Sequence, residues 1–452
     1  MNAPIVRSWS VAWLLAMVAT GPLQAGTVPR YDLRPGQVLT YEEEQRFKGE
    51  GEDSAYRTTW RLWVVGRNDD GSWRVVARTA MKTLGERGSS GRDEMVTFAR
   101  FDVRSDGEVP PCPTLGLRVD PSAVFPRLPG DEKQAAAGWE ERDDRDDATI
   151  RYKPIARKDS GDGATFDFEA DRRSFVERFY EGKDHRIFHF DRKRGIVVRA
   201  EVARGYGSHM QSEGKGTLEL TSVAEMPPAK LAAFREEMDR YFDAHQAYLA
   251  LYRKVEKSGD QAGTLVNQAR KVLADARAKV TLPEPVAALE DELNNHNQFA
   301  SYQVEGAKRF ARVIGHPAPA WEVKDLEGRT HTLDQYRGKV LVLDFWYRGC
   351  GWCMRAMPQV KRIAAHYRGR DVAVFGVNND HNEDDARFVA REMQLDYPVL
   401  RSQELPAKYG VQGFPTLIII DQQGKVADIH VGYSPRLYEE VTAAVDRLVG
   451  VK

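Results

Sequence analysis

Apolar positions alternate with polar ones through much of the first half of the chain. Trp60, Leu62 and Val64 interleave with Arg61, Trp63 and Val65, and Trp73, Val75 and Ala77 with Arg74, Val76 and Arg78. Both are period-two segments, and Asn68-Asp69-Asp70-Gly71 between them is a turn signal, so they predict a hairpin. Similar alternation recurs at 94–103, 164–172, 185–191, 196–203 and 217–223. The consequence is an antiparallel sheet, as a sandwich or partial barrel with one wet face. Between 110 and 147 a stretch rich in Pro, Gly, Asp and Arg breaks the rhythm and predicts long loops.

At Pro227-Pro228 the period changes. Leu231, Phe234, Met238, Tyr241, His245, Tyr248, Tyr252 and Val255 step by three and four, which lines them along one seam of a long helix. Such a stripe packs on neighbouring elements of its own chain or forms a dimer seam, and its shortness as a heptad run favours the first. Ser258-Gly259-Asp260 breaks it, and helices over 261–280 and 284–313 follow, separated by Leu282-Pro283-Glu284-Pro285.

Beyond Gly315-His316-Pro317-Ala318-Pro319 strands and helices alternate. A short hairpin flanks Asp325-Leu326-Glu327-Gly328, and the apolar run Val340–Trp346 reads as a strand buried on both faces. A helix over 354–368 with Pro358 inside it, a strand at 372–377, a helix at 384–393, a short strand at 399–400 and a segment at 404–409 come next. Strands at 417–421 and 426–431 pair through Gln422-Gln423-Gly424-Lys425, and an amphipathic helix at 437–449 closes the region. This is an α/β sheet, mixed and covered on both faces. The chain of 452 residues therefore divides into a signal segment at 1–25, an antiparallel β-rich domain at 26–226, a helical connector at 227–312 and an α/β domain at 313–452, in keeping with a length prior of about three domains.

The first 26 residues carry Arg7, an apolar run from Val11 to Ala19, Gly21-Pro22 and a small-residue end at Ala25-Gly26. That is the layout of a secretory signal, and it predicts an exported protein, periplasmic or envelope-associated. Leu23, three before the proposed cut, is larger than a cleavage site favours and leaves an uncleaved anchor or a buried helix as the alternative. A net charge of −1 and a pI near 6.8 supply no basic field, which argues against nucleic acid as a partner.

Only three cysteines occur, which excludes a disulfide-stapled scaffold and divides them into a Cys350-Gly351-Trp352-Cys353 pair and the remote Cys112. The pair sits where the buried strand hands over to a helix. There the free N–H groups and the positive end of the helix dipole stabilise an anion, so Cys350 loses its proton more easily than an ordinary thiol. Cys353, one turn on, is close enough to close a small disulfide ring with it. Cys112, in Pro110-Pro111-Cys112-Pro113, has no basic activator nearby in sequence and reads as a packed or unpaired thiol, with a redox partner for the dithiol as the alternative. His185, His189 and His209 do not make a metal site, because His185 and His189 lie four apart in a strand and reach far from each other. No metal and no cofactor is called for.

Asp344 six residues before the first cysteine, Trp346 at the strand end, the C-G-W-C pair, Pro358 five residues after the second cysteine and Gly413-Phe414-Pro415-Thr416 ahead of an apolar strand together resemble thioredoxin. The lead-in APAWEVKDLEGRTHTLDQYRGKVLVLDFW resembles more specifically the TlpA/ResA branch of secreted or membrane-tethered bacterial thiol-disulfide oxidoreductases, and the likeness covers about 313–450. It implies a thioredoxin-like fold and thiol-disulfide exchange. Cys350, exposed at the helix start, attacks a substrate disulfide, and Cys353 resolves the mixed disulfide. By the same resemblance Asp344 is a buried carboxylate near the inner sulfur that takes the proton from Cys353, and burial raises its pKa into the useful range.

The resemblance further implies that Pro415 is cis and turns the Phe414 backbone toward an extended substrate segment, and that Gly432 lets substrate backbone approach the same surface. Trp352 either contacts substrate or packs on the domain surface. Ala356 stands where many relatives of this branch carry an acid, so proton handling rests on Asp344 alone, and Gly351-Trp352 replaces the common proline-containing pair. The implied partners are a disulfide-containing protein substrate and an external thiol electron donor. The leading expectation is a protein disulfide reductase. An oxidase or isomerase is the alternative within the same chemistry, and an envelope binding protein with a redox-sensing domain the alternative outside it. A peroxidase would need Pro and Thr ahead of its cysteine, and Tyr347-Arg348-Gly349 supplies neither.

Overall fold

The computed structural model describes residues 28–49, 53–84, 94–110, 112, 119–143, 148–155, 164–174, 182–206 and 212–450. The signal segment at 1–25 and His209 lie outside them. The first strands are β1 (Gln37–Gly49), β2 (Ser54–Arg67), β3 (Trp73–Leu84) and β4 (Met95–Val103). After helix α1 (Glu132–Ala137) come β5 (Trp139–Asp143), β6 (Ala148–Pro154), β7 (Thr165–Arg173), β8 (Lys183–Asp191), β9 (Ile196–Tyr206) and β10 (Ser212–Glu225). The hairpin between β2 and β3 forms as the pattern predicts. Gly71 turns at φ +84°, and its N–H donates to Asn68 O at 3.0 Å.

All ten strands join one antiparallel sheet in the order β4-β3-β2-β1-β10-β9-β8-β7-β6-β5. One continuous sheet replaces the two of a sandwich. Its two halves share a core on one face, where Leu39, Trp60, Leu62 and Val75 meet Phe168, Phe188 and Phe190. Tyr41 links the halves by donating its hydroxyl to Val197 O at 2.9 Å.

Two expectations for this region fail, and one strand went unrecognised. The loop-rich stretch contains α1 and β5, because Asp131 caps the helix by accepting from the Gln134 N–H at 2.8 Å and Trp139 stacks on Tyr152 at 5.1 Å. β1 escaped detection because its inward positions after Tyr41 are Glu43 and Gln45, which are buried by bonding each other. The opposite face is not wet along β2 to β4. Trp63, Val65, Val76 and Phe98 pack there against Phe234, Met238 and Tyr241 of a helix, since the intervening positions of these strands are themselves apolar.

That helix is α2 (Pro228–Val255), followed by α3 (Ala262–Arg277) and α4 (Pro283–Phe310). The stripe of α2 is thus occupied within its own chain. The helices also touch the C-terminal region, where the short strands β11 (Glu322–Lys324) and β12 (Thr330–Thr332) precede β13 (Val340–Trp346). Lys257 pairs with Asp428, and the Glu256 carboxyl accepts from the Val431 N–H while burial pushes its pKa up to about 7. An acid whose folded pKa lies above its unfolded one loses proton-linked stability as pH rises between the two values. Glu256→Gln is therefore expected to stabilise the protein by about 3 kcal/mol at pH 8 and hardly at all at pH 4, read by denaturant unfolding at the two pH values.

The C-terminal region continues with α5 (Gly351–His366), β14 (Val372–Asn378), α6 (Glu383–Glu392), β15 (Val399–Arg401), α7 (Leu405–Lys408), β16 (Thr416–Ile420), β17 (Val426–Val431) and α8 (Leu437–Val449). Its sheet runs β15-β14-β13-β16-β17, with β13 parallel to β14 and antiparallel to β16. Val340 and Val342 pack under α5 and α8, whereas Leu341, Leu343 and Phe345 face Trp321, Tyr409 and Phe310 at the end of α4. Both faces of β13 are covered, as an unbroken apolar strand requires.

Candidate active site

Every residue of β13 is buried, and the chain leaves the sheet through Tyr347-Arg348-Gly349. The Arg348 N–H donates to Asp380 at 2.9 Å, its guanidinium pairs with Asp385 of α6 at 2.5 Å and lies 4.3 Å over the Phe388 ring. This anchored turn sets Cys350 as the N-cap of α5, which begins at Gly351, three residues before the expected 354. Cys350 Sγ accepts from the Cys353 N–H at 3.1 Å. The two cysteines form a disulfide, with Cα atoms 5.2 Å apart.

Cys350 is not the exposed residue expected. It is 6% accessible, against 1% for Cys353, because in the disulfide form both sulfurs belong to a cluster with Leu326, Trp346 and Met354, against which Phe414 also packs. Phe414 meets Tyr347 edge to face at 5.3 Å. The Phe414–Pro415 peptide is cis. Pro415 O accepts from the Gly432 N–H at 2.8 Å, and Gly432 adopts φ +80° with open space where a Cβ would stand, so the loop after β17 lies beside the proline. Trp352 is 44% exposed, stacked on Tyr433 at 5.8 Å with the Arg355 guanidinium 5.3 Å from its ring.

Asp344 shares its strand face with Val340, Val342 and Trp346, the face beneath α5. Its carboxylate is buried and neither oxygen has a hydrogen-bond partner. Burial alone pushes its pKa up to about 7, because a charge without donors is poorly solvated there. Ala356 is fully buried, so no carboxylate stands at that position.

Sequence reasoning missed Tyr347, Tyr433 and Tyr397. Tyr347 and Tyr433 flank C-G-W-C and Gly432 and could have been found by proximity to those motifs, whereas nothing local marks Tyr397. The remaining candidates lie apart from the dithiol. Cys112 packs against the core of the N-terminal sheet and donates to Arg100 O at 3.1 Å. His185 pairs with Asp171 and His189 with Asp167. Among the described residues no group of three or more His, Cys, Asp or Glu could hold a metal ion.

Residues 314–429 match the AhpC/TSA family. The thiol-disulfide oxidoreductase ResA of Geobacillus thermodenitrificans is 34% identical over 127 residues, which cover 28% of this chain and 73% of that protein. The thioredoxin-like protein YneN of Bacillus subtilis is 32% identical over 135 residues, covering 29% of this chain and 79% of that one. A solved structure of a putative thiol:disulfide interchange protein DsbE from Chlorobium tepidum is 30% identical, covering 30% of this chain and 98% of that one at a TM-score of 0.29. With most of ResA covered at that identity and a strand-to-helix dithiol within the matched span, the chain belongs, through its C-terminal region, to the ResA-like thiol-disulfide oxidoreductases of the thioredoxin superfamily.

Proposed function

We propose that the protein is an exported oxidoreductase that reduces protein disulfides with the Cys350/Cys353 pair. The observation that carries this reading is a disulfide closed at the N-cap of α5, on the sheet face that buries the unpartnered Asp344. In the dithiol form the Cys350 thiolate, held by the Cys353 N–H and the helix dipole, attacks a substrate sulfur. A mixed disulfide forms and the other substrate sulfur leaves as a thiolate. Cys353 then gives its proton to Asp344 and attacks the Cys350 sulfur, which closes the Cys350–Cys353 bond and releases the second substrate thiolate. Two electrons reach the substrate, and an external thiol donor restores the dithiol.

Phe414, Pro415, Gly432 and Trp352 form the surface over which an extended substrate segment lies. The export signal at 1–25 accounts for an envelope location, and among the described residues no helix is long and apolar enough to cross a membrane. The sheet region at 26–226 and the helical connector at 227–312 are domains separate from the redox domain at 313–452.

Full-length Cys353→Ser tests the reading, since it retains the attacking thiol and lacks the resolving one. It is expected to accumulate a mixed disulfide between Cys350 and envelope proteins that dithiothreitol releases. A variant that traps nothing beyond a Cys350→Ser, Cys353→Ser control overturns it. The direction follows from the reduction potential: a value near about −270 mV supports a reductase, and one near about −120 mV replaces it with an oxidant.

A further inference from the structure

On the face of β13 that α5 covers, more than one polar group is buried without a partner. Besides the two Asp344 oxygens, the indole Nε1–H of Trp346 and the hydroxyl of Tyr397 have none. These groups converge on Gly376. That glycine is the register partner of Asp344 in the parallel β13/β14 pair, and a Cβ built on it would lie 2.8 Å from Trp346 Nε1 and 3.4 Å from Tyr397 Cε2. Any larger residue at 376 would fill the space between the tyrosine and the strand. Tyr397 also feels the carboxylate directly, for its pKa is raised first by burial and next by the Asp344 charge. A buried donor and a buried acceptor are each unfavourable when unpaired, and their mutual bond strengthens once the acceptor is ionised.

We propose that Tyr397 is a positioning residue for the resolving step: its hydroxyl, unpaired here like the carboxyl oxygens, turns to donate to Asp344 once that carboxyl ionises and holds the anionic base ready for the Cys353 thiol. The proposal rests on Asp344 being that base. As Cys353 loses its proton to Asp344, the Cys350–Cys353 bond forms and the bond between Cys350 and the substrate sulfur breaks, with the electron pair leaving on the substrate thiolate. Tyr397 transfers no proton in this sequence. It acts by favouring the charged carboxylate beforehand. The other titratable groups around it are few: Cys353 from α5, and Asp396 next in sequence, held by Arg368 of the segment after α5. Lys361 of α5 is committed to Met393 O at 2.8 Å, and the facing positions of β14 and β16 are Gly376 and Leu417.

Mixing the reduced full-length protein with an aromatic disulfide releases one chromogenic thiol as Cys350 attacks and a second as Cys353 resolves. The second phase is expected to speed up as pH rises through a midpoint about one unit below the value of about 7 that burial alone gives Asp344. In Tyr397→Phe that midpoint is expected to move up by about one pH unit while the first phase is unchanged. An unshifted midpoint in Tyr397→Phe, beside a wild-type limb that Asp344→Asn abolishes, overturns the role of Tyr397 and leaves the base in place. A wild type without the limb, or a limb that survives Asp344→Asn, overturns the base assignment and the proposal with it. An infrared titration of the oxidised wild type gives a readout free of turnover and of any variant's folding. A tyrosine C–O band should move with the same midpoint as the Asp344 carbonyl band, and a tyrosine spectrum that does not change there overturns the proposal.

Discussion

Full-length Cys350→Ser is expected to lose disulfide reduction, measured on insulin with dithiothreitol as donor, by on the order of a thousandfold or more relative to wild type. The size follows from the nucleophile being the thiolate itself. A serine hydroxyl at the same N-cap keeps the hydrogen bond from the Cys353 N–H and so the helix start, but it does not ionise near neutral pH and cannot form the mixed disulfide. Cys353, 1% accessible and a turn deeper, does not substitute for it. Circular dichroism should show an unchanged fold. Activity equal to wild type would remove Cys350 from its proposed role.

Asp344→Asn should raise stability by about 4 kcal/mol at pH 8 and leave it nearly unchanged at pH 4. In the folded protein the carboxyl holds its proton up to about 7, whereas in the unfolded chain it releases it near 3.9. The folded state therefore binds more protons between those values, and stability falls as pH climbs through that window. An amide has no charge to bury, so the decline disappears in the variant. Denaturant midpoints across the window measure this, and wild-type and variant curves running in parallel would sink the burial argument. The same substitution should slow the release of the second thiol at pH 7 without affecting the first. Stability gained and catalysis lost at one residue is the signature of a group kept for its chemistry.

Much of the redox region was legible along the chain. A seven-residue apolar run can be buried on both sides only in the middle of a covered sheet, and this fixes β13 and its neighbours. The dithiol spacing and the strand-to-helix hand-over are local, as is the proline in Gly413-Phe414-Pro415-Thr416, so their elements follow from short-range patterns. The N-terminal sheet was legible in its alternation and not in its strand order. Glu43 and Gln45 read as polar positions, yet in β1 they point inward and bond each other, a long-range outcome that no local period announces. Nor does alternation say whether ten strands form one sheet or two, which depends on the pairing of β1 with β10 across the whole region.

The residues of the chain specify a cysteine pair at a strand-to-helix hand-over and a carboxylate on a buried strand, because each is written in spacing over a few positions. Tertiary structure alone decides how accessible and how charged those groups are. Phe414, over sixty residues from Cys350 in sequence, packs on the cluster that contains the disulfide. Tyr433 gives Trp352 a surface to stack on, and the glycine opposite Asp344 in the neighbouring strand leaves room for the Trp346 indole and the Tyr397 ring. Accessibility and proton affinity are properties of what surrounds an atom, and in this protein those surroundings arrive from strands and loops distant in sequence.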